Sequence, residues 1–466
     1  MAANSAAGPQ KKLNLFQLTW PIFLELFLFT FMGLVDTFML SSLSDDAVSG
    51  VGAANQYIQI AILVLEVVGN GAAIVVSQYL GSKRFIEVSR ISALAVSLNL
   101  LVGLALSAVF IMFTSRIMQA MNLDGAVLAH AEAYLVIVGG GIFLQAVINS
   151  LSAIIRVHGF TKQTMFVSLG MNILHIAGNY ALIFGKFGLP ELGVKGAAIS
   201  SVGSRLIALS VFVWLLYQIL DYRIEFRYYF NWTKEYVRQI LHIGLPSAFE
   251  QILYQGCQLV FLYYVTYLGT EAMAARQYAV NISMFSYLFA LAIGLGTSII
   301  TGRLVGSGEK EVAYRTLWKS LKWAFVFTFA MVAVVTAFRY PLMGLFTDNE
   351  EIIRLGASVL LLSVLLETGR TFNIVIINSL RASGDAKFPV LMAAISMVLM
   401  SLPLGYFLVF VMDLGIVGIW LAIAADEWTR GIAMAIRWKS RAWEKHALVQ
   451  PEAELEETRD AVPETV

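Results

Sequence analysis

Residues 19–40 read TWPIFLELFLFTFMGLVDTFML, an apolar run long enough to cross a bilayer that nevertheless contains Pro21, Glu25 and Asp36. Eleven residues separate the two carboxylates, which is close to three turns, so an α-helix carries both side chains on one face. A charged side chain at membrane depth costs about 2.5–3.5 kcal/mol, so such residues usually face a bundle interior or a wet cavity. The run therefore predicts a transmembrane helix with one polar face. Snorkelling to the membrane interface is the alternative for both Glu25 and Asp36.

The composition is that of a polytopic membrane protein. Of the 466 residues, 58% are hydrophobic and only 14% are charged, against about 25% charged in soluble domains. The single cysteine, Cys257, excludes an intrachain disulfide and a cysteine-built metal site. No HExxH, GxSxG or P-loop spacing occurs, which argues against an intramembrane enzyme and against ATP-driven transport within this chain. We therefore expect no enzymatic activity, no cofactor, no ATP and, with a net charge of +1, no nucleic acid partner.

Twelve apolar runs of about 20 residues lie between positions 16 and 438 and predict twelve transmembrane helices. Most Lys and Arg residues between the runs fall on the side shared with the N-terminus. The opposite loops hold only Arg116, Lys186, Lys195 and Arg339. The positive-inside rule therefore predicts that both termini are cytoplasmic. An even number of spans agrees, because it places both termini on the same side of the membrane.

The chain also repeats itself with an offset of 225 residues. Pro21 and Glu25 recur at Pro246 and Glu250, and RVHGFTK at 156–162 recurs as RASGDAK at 381–387. Because each half holds six spans, the two repeats run parallel. The pattern predicts an all-α polytopic membrane protein with two six-helix repeats, an N-lobe and a C-lobe, around a central cavity. This is the architecture of an alternating-access transporter, with bends at the two prolines.

The predicted organisation has five parts. They are a cytoplasmic segment at 1–13, the N-lobe at 14–220, a cytoplasmic linker at 221–236, the C-lobe at 237–440 and a disordered acidic cytoplasmic tail at 441–466.

A second polar stripe follows the seventh span, where Glu250, Tyr254 and Gln258 line one side of a helix. A glutamate isolated in apolar surroundings holds a proton and releases it when a cation binds, so Glu250 is a candidate exchange group. A structural hydrogen bond is the alternative. With Glu25 and the mid-span Glu66, this stripe forms a candidate substrate cavity.

Four arginines also lie inside spans. We expect them to form intramembrane ion pairs rather than to bind substrate, for instance with Glu367, Asp426 or Glu427. They are Arg205, Arg276, Arg370 and Arg430.

An ordered set of motifs resembles the MATE family (multidrug and toxic compound extrusion). The motifs are the first span followed by AANQ, then SQYLGSK, NYALIFG, LGVKGAAISS, AARQYA and NSLRASGDAKFP. The resemblance runs from about residue 14 to 440. It implies a twelve-helix, two-lobed antiporter that exports organic, often cationic compounds in exchange for Na⁺ or H⁺.

The resemblance is closer to the family's DinF-like branch, in which the aspartate of span one belongs to a cation site of the N-lobe. Asp36 matches that aspartate. The family site also includes two residues of span five spaced by four, and these positions hold His175 and Asn179 here. A threonine of span six often completes the site, and its position holds Ser201. In the NorM-like branch an acidic residue of span seven stands where this chain has Tyr254. That branch also has an acidic residue in span ten, for which Glu367 is a loose candidate in this chain.

The coupling ion is left open between H⁺ and Na⁺. Oxygen ligands at Asp36 suit Na⁺, and no other metal site is expected. An imidazole at His175 suits a proton, which favours H⁺.

We expect a small organic cation as substrate and a monomer in the lipid bilayer of the cell membrane. The alternative function is a lipid-linked oligosaccharide flippase of related two-lobed architecture, although the span interiors carry more carboxylates than a phosphate-binding cavity requires.

Overall fold

The computed structural model describes residues 13–220 and 224–449, and every regular element among them is helical. The first half contains seven α-helices: α1 (Leu15–Ser41), α2 (Asp45–Gly81), α3 (Phe85–Gln119), α4 (Gly125–Tyr134), α5 (Ile142–Val157), α6 (Thr161–Ile183) and α7 (Val194–Ile219). The second half contains eight: α8 (Lys234–Thr266), α9 (Thr270–Gly306), α10 (Lys310–Ala337), α11 (Arg339–Gly344), α12 (Glu350–Ala382), α13 (Lys387–Ile395), α14 (Leu402–Tyr406) and α15 (Gly415–Lys439).

The twelve predicted spans are confirmed. Within the described residues, nine helical segments are long and apolar enough to cross a membrane, and α4 with α5 forms a tenth span bent by 46°. The bend falls at the run Gly139-Gly140-Gly141, where the missing side chains leave the backbone free to change direction. The other two spans, α8 and α15, are of similar length but carry charged residues along their course.

Two breaks in the helical pattern distinguish the span at Lys387–Val411. Segments of π-helix at Ser396–Ser401 and Phe407–Val411 flank the short α14, which contains Pro403. A π-helical turn at Leu135–Gly139 likewise joins α4 to the glycine run. Such turns interrupt regular helical bonding inside long helices, and proline does so as well.

The chain divides into two compact units, one made of residues up to Leu80 with Arg84–Gly244 and the other of Gly81–Lys83 with residues from Leu245 onward. The division falls inside α8. The predicted bounds of the lobes, linker and segments stay predictions, and positions 1–12, 221–223 and 450–466 lie outside the described residues.

Within the first unit, α6 and α7 approach each other closely because two glycines face the neighbouring helix. A Cβ atom on Gly178 would lie 2.4 Å from the Ser200 hydroxyl oxygen, and one on Gly196 would lie 2.5 Å from the Leu182 carbonyl oxygen. Both separations are too short for a side chain. The glycines therefore fix the α6–α7 distance that brings their polar residues into contact.

The helices α1 and α6 run side by side in the same direction. Three hydrogen bonds join residues 143 or 144 positions apart: the Thr161 hydroxyl to the Gln17 carbonyl (3.3 Å), the Ser168 hydroxyl to Glu25 (3.0 Å), and the Asn179 amide to Asp36 (2.8 Å). The constant offset shows that both helices advance in register. Glu25 and Asp36 thus lie on one face of α1, as their spacing predicts.

The prediction of disorder from residue 441 is wrong for its first residues. Ala442–His446 forms a 3₁₀ helix, and the Trp443 ring is buried and stacked on Trp438 with centroids 4.2 Å apart. The Trp443 indole nitrogen also donates to the Trp438 carbonyl at 3.0 Å. The short polar segment has no apolar pattern apart from Trp443, and one buried aromatic side chain is enough to hold it.

Candidate functional site

The candidate site of the first unit is centred on Asp36, deep in α1. Its Oδ1 atom accepts a hydrogen bond of 2.8 Å from the Asn179 amide, and the His175 Nδ1 atom lies 3.9 Å from the same oxygen. The second distance is too long for a hydrogen bond. The Asp36 side chain is 28% exposed and that of His175 11%. Asp36 is therefore held from one side and remains accessible.

His175 is fixed from α7. The Ser201 hydroxyl lies 2.9 Å from the His175 Nε2 atom, and the Ser200 hydroxyl donates to the His175 carbonyl at 2.8 Å. One ring nitrogen of the imidazole therefore has a hydroxyl partner, while the other faces Asp36. This arrangement brings together all four residues of the predicted cation site, and it offers a carboxylate, an amide, a hydroxyl and an imidazole.

Two neighbours of this site were missed in the sequence. Tyr134 of α4 is buried, and nothing in its sequence context marks it. Arg205 of α7 follows Ser201 by one helical turn, so both side chains lie on the same face of the helix. The sequence places Arg205 inside a span and therefore predicts an ion pair for it. Within the described part of the chain that prediction is wrong. The buried Nη1 atom of Arg205 has no hydrogen-bond partner there.

Glu25 lies elsewhere on α1 and belongs to a separate contact. Its Oε2 atom is 3.2 Å from Nη1 of Arg156 on α5, and its Oε1 atom accepts from Ser168. Glu66 on α2 has an exposed side chain. The structure thus distributes the candidate carboxylates of this unit over distinct places rather than one cluster.

Glu250 is not the isolated glutamate that its apolar sequence context predicts. Its Oε2 atom is 2.5 Å from Nη2 of Arg381, and its Oε1 atom is 3.8 Å from Nη1 of Arg430. The reason is that the cationic partner lies 131 residues away in sequence, exactly the separation of Glu25 and Arg156. The repeat therefore preserves one Glu–Arg ion pair in each half.

The Glu250 pair continues into a buried network of the second unit. Arg430 contacts Asp426 at 2.8 Å and Glu427 at 3.1 Å, while Arg370 contacts Glu367 at 2.8 Å. These contacts agree with the ion pairs expected for Arg370 and Arg430. Further hydrogen bonds come from Asn373 to Glu427 (2.9 Å) and from Ser396 to Asp426 (2.6 Å).

The remaining predicted residues of the second unit make ordinary contacts. Gln258 accepts a hydrogen bond of 3.0 Å from Arg276, which forms no ion pair with any described residue, contrary to expectation. Tyr254 is half-buried against a hydrophobic cluster of this unit. Neither residue contacts Glu250 through a hydrogen bond in the described part of the chain.

The two units differ at the position of Asp36. Adding the 225-residue offset to Asp36 gives Phe261, whose side chain is 1% exposed within the hydrophobic core of the second unit. The same offset takes His175 to Met400 and Asn179 to Leu404. Asp36, His175 and Asn179 therefore have apolar counterparts in the second repeat. In the described residues, no group of three or more His, Cys, Asp and Glu side chains could hold a metal ion.

Comparison with known proteins identifies the family. The sequence model of the MatE family matches residues 21–181 and again residues 246–407, so both halves of the chain match the same unit. The start points differ by 225 residues, the offset of the internal repeat.

Curated relatives cover nearly the whole chain. An uncharacterized transporter of Bacillus subtilis, YisQ, is 42% identical over 93% of this chain and 95% of its own length. A probable multidrug resistance protein of Thermotoga maritima, NorM, is 26% identical over 95% and 96% of the two chains.

Solved structures show the same fold. A MOP superfamily transporter from Pyrococcus furiosus superposes with a TM-score of 0.85 at 20% identity, covering 92% of this chain and 95% of that one. A MATE structure in a bent conformation gives the same TM-score and identity, over 92% and 96%. The match of the family sequence model to both halves shows that this chain is a membrane transporter, not an enzyme, and that it belongs to the MatE family of multidrug efflux proteins.

Proposed function

We propose that this transporter is a secondary-active antiporter that exports small organic cations in exchange for H⁺. It works as a monomer in the cell membrane with both termini cytoplasmic, and it belongs to the DinF-like branch. The observation that carries the proposal is the part-exposed Asp36 carboxylate, held by Asn179 and facing the imidazole of His175.

The chemistry of these groups supports exchange at one place. Asp36 can hold a proton or, when ionised, attract a cation, and His175 changes charge near neutral pH when unperturbed. Because the two side chains are 3.9 Å apart, protonation of one changes the electrostatic energy of the other, so they would titrate as a coupled pair. Sodium is the alternative ion, and it would use the oxygens of Asp36, Asn179 and Ser201.

The flippase alternative has less support. Such a function calls for several arginines free to bind phosphate, whereas Arg370, Arg381 and Arg430 are each paired with carboxylates, which leaves Arg205 and Arg276 as the intramembrane arginines without an ion pair among the described residues. Glu25, Glu66, Glu250, Tyr254 and Gln258 remain candidate substrate-cavity residues under the antiport proposal.

The test is efflux of a fluorescent organic cation from proteoliposomes under separately imposed pH and Na⁺ gradients. The proposal expects efflux driven by the pH gradient at fixed Na⁺. His175→Asn restores the residue usual in the family and should change the pH dependence and increase any stimulation by Na⁺. Efflux driven by Na⁺ at fixed pH, without response to a pH gradient, would contradict H⁺ coupling.

A further inference from the structure

One face of α10 carries a line of exposed side chains that changes from basic to apolar along the helix. Arg315, Lys319, Lys322, Val326 and Phe329 follow one another at spacings of three and four residues, so they share one side of the helix. All five are exposed, and the opposite side of α10 is the one buried in the second unit. We call these five residues the α10 stripe. Its basic part and its apolar continuation each extend about 10 Å along the helix axis.

The positive charge of the α10 stripe is not neutralised by its neighbours. Neither Lys319 nor Lys322 forms an ion pair or a hydrogen bond with any described residue. Arg315 contacts Glu311 at 2.8 Å, with the two side chains 78% and 51% exposed. Glu311 also pairs with Arg441, so its single negative charge is shared between two guanidinium groups. The basic end of the stripe is therefore open to an anionic ligand.

The internal repeat shows that this charge is particular to the second half. The offset of 225 residues takes the arginine of the stripe to Arg90 on α3, and the two lysines to Leu94 and Ser97. Leu94 is only 1% exposed. The Arg90 guanidinium lies 5.5 Å from the ring centre of Tyr228, which belongs to the segment that follows α7. The chain itself thus covers this end of α3, whereas the corresponding end of α10 stays exposed.

We propose that the α10 stripe binds an anionic phospholipid, with the headgroup phosphate at Lys319 and Lys322 and an acyl chain along Val326 and Phe329. The two ammonium groups donate charge-assisted hydrogen bonds to phosphate oxygens. The apolar part needs a partner other than water, because water is absent from the bilayer core. Trp323 is 37% exposed next to Lys322, and tryptophan is enriched at the depth of the lipid headgroups. A second copy of this chain fits less well, since two such stripes would bring like charges together.

The experiment measures lipid binding by the purified full-length protein in detergent micelles, independently of transport. Dioleoyl phosphatidylglycerol and dioleoyl phosphatidylcholine have the same acyl chains and differ in net charge. The affinity for each lipid is measured by native mass spectrometry, and thermal unfolding is followed in parallel, because a ligand stabilises the state that binds it. Wild type should prefer phosphatidylglycerol. Lys319→Gln/Lys322→Gln should lower the affinity for phosphatidylglycerol about 25-fold, or about fivefold for each lysine, and should leave the affinity for phosphatidylcholine unchanged.

Two matched variants make the result specific to this face. Lys319→Arg/Lys322→Arg retains both charges and should bind phosphatidylglycerol as wild type does. Lys186→Gln/Lys195→Gln removes two exposed lysines from the first unit and should also keep the wild-type affinity. Equal affinity of wild type for the two lipids would overturn the inference. Equal losses in the two double glutamine variants would do so as well, because the preference would then follow total charge and not the α10 stripe.

The same measurements distinguish two other occupants. Residues 450–466 contain six acidic side chains and one arginine, so they are a candidate on charge alone. A preference for phosphatidylglycerol that appears only in a variant ending at Val449 would assign the stripe to that segment and overturn the inference. A wild-type dimer that Lys319→Gln/Lys322→Gln converts to a monomer would assign the stripe to a second copy, with the same consequence.

Discussion

Asp36 is ionisable, and its side chain is 28% exposed despite its position within a span. The Asn179 amide satisfies one oxygen and leaves the rest of the carboxylate available. A group held in this way can exchange its ligand without losing its place in the helix bundle. The charge, rather than the shape, of this side chain is therefore its functional property.

Asp36→Asn should abolish ion-coupled efflux while leaving folding and membrane insertion intact. The substituted side chain keeps the size of aspartate and can still accept the bond from Asn179, but it no longer carries a titratable charge. Gradient-driven efflux and thermal unfolding are both measured in the same preparation. Asp413→Asn, an exposed change outside the site, serves as the matched control. Undiminished efflux by the Asp36 variant would remove this residue from the mechanism.

The sequence could group Asp36, His175, Asn179 and Ser201 because ordered motifs indicate which positions act together. It could not place Tyr134, nor the charge of Arg205 beside the site. Residue spacing reports the faces of one helix, but it does not say which faces of different helices meet. For the same reason the sequence predicts an isolated Glu250, although Arg381 is itself part of the repeat.

At the scale of helices, Pro21 provides a link between sequence and packing. A proline cannot donate to the carbonyl four residues earlier, so it frees the Gln17 oxygen. The Thr161 hydroxyl of α6 bonds that oxygen at 3.3 Å. Unsatisfied polar groups are costly in a bilayer, so an oxygen freed in one helix is paired by its neighbour. In the second repeat the matching position is Ala386, which has no hydroxyl group.

Thr161→Val should lower the stability of the protein by about 1 kcal/mol, since it removes one hydrogen bond to a backbone carbonyl and preserves the side-chain volume. Thermal unfolding in detergent micelles measures the loss. Thr316→Val is the control, because that exposed threonine bonds the carbonyl of Val312 in its own helix. Equal losses of stability in the two variants would show that the hydrogen bond between α1 and α6 contributes no more than a hydrogen bond within one helix.

The repeated Glu–Arg pair gives a second comparison between helices. Glu250→Gln should destabilise the protein more than Glu25→Gln. The Glu250 and Arg381 side chains are 11% and 18% exposed, and Glu250 also faces Arg430. The Glu25 and Arg156 side chains are 16% and 28% exposed. Leaving a buried charge unpaired costs about 3–5 kcal/mol, and the cost falls as water reaches the pair. Thermal unfolding of both variants decides the order, and the reverse order would refute this reading.

At the scale of the whole molecule, the twelve spans and the duplication could be read from the sequence, since apolar length and a 225-residue offset are both visible there. Chemical differences between the halves could not be read as easily. Similar backbones carry a polar set around Asp36 in the first half and the buried Phe261 at the corresponding place in the second. The second half concentrates its charges in a network instead. Duplication has preserved the scaffold while the polar residues have diverged.

This asymmetry predicts that ion coupling depends on the first half alone. The network of the second half contains four carboxylates, Glu250, Glu367, Asp426 and Glu427, and three guanidinium groups, Arg370, Arg381 and Arg430. Glu367→Gln leaves Arg370 with a second carboxylate partner, Glu427 at 3.7 Å, so the variant should fold as wild type does. Its efflux should keep the wild-type dependence on the imposed pH gradient, whereas Asp36→Asn should lose it.

Arg370→Gln is the matched opposite change, because it leaves four carboxylates against two guanidinium groups. Its cost should be about 3–5 kcal/mol, since the fully buried Glu367 then loses the cation at 2.8 Å. Thermal unfolding should therefore separate the two network variants clearly, while efflux under pH and Na⁺ gradients should separate Glu367→Gln from Asp36→Asn. If Glu367→Gln folded normally but lost its response to the pH gradient, the second half would carry a coupling group and the assignment to the first half alone would be wrong.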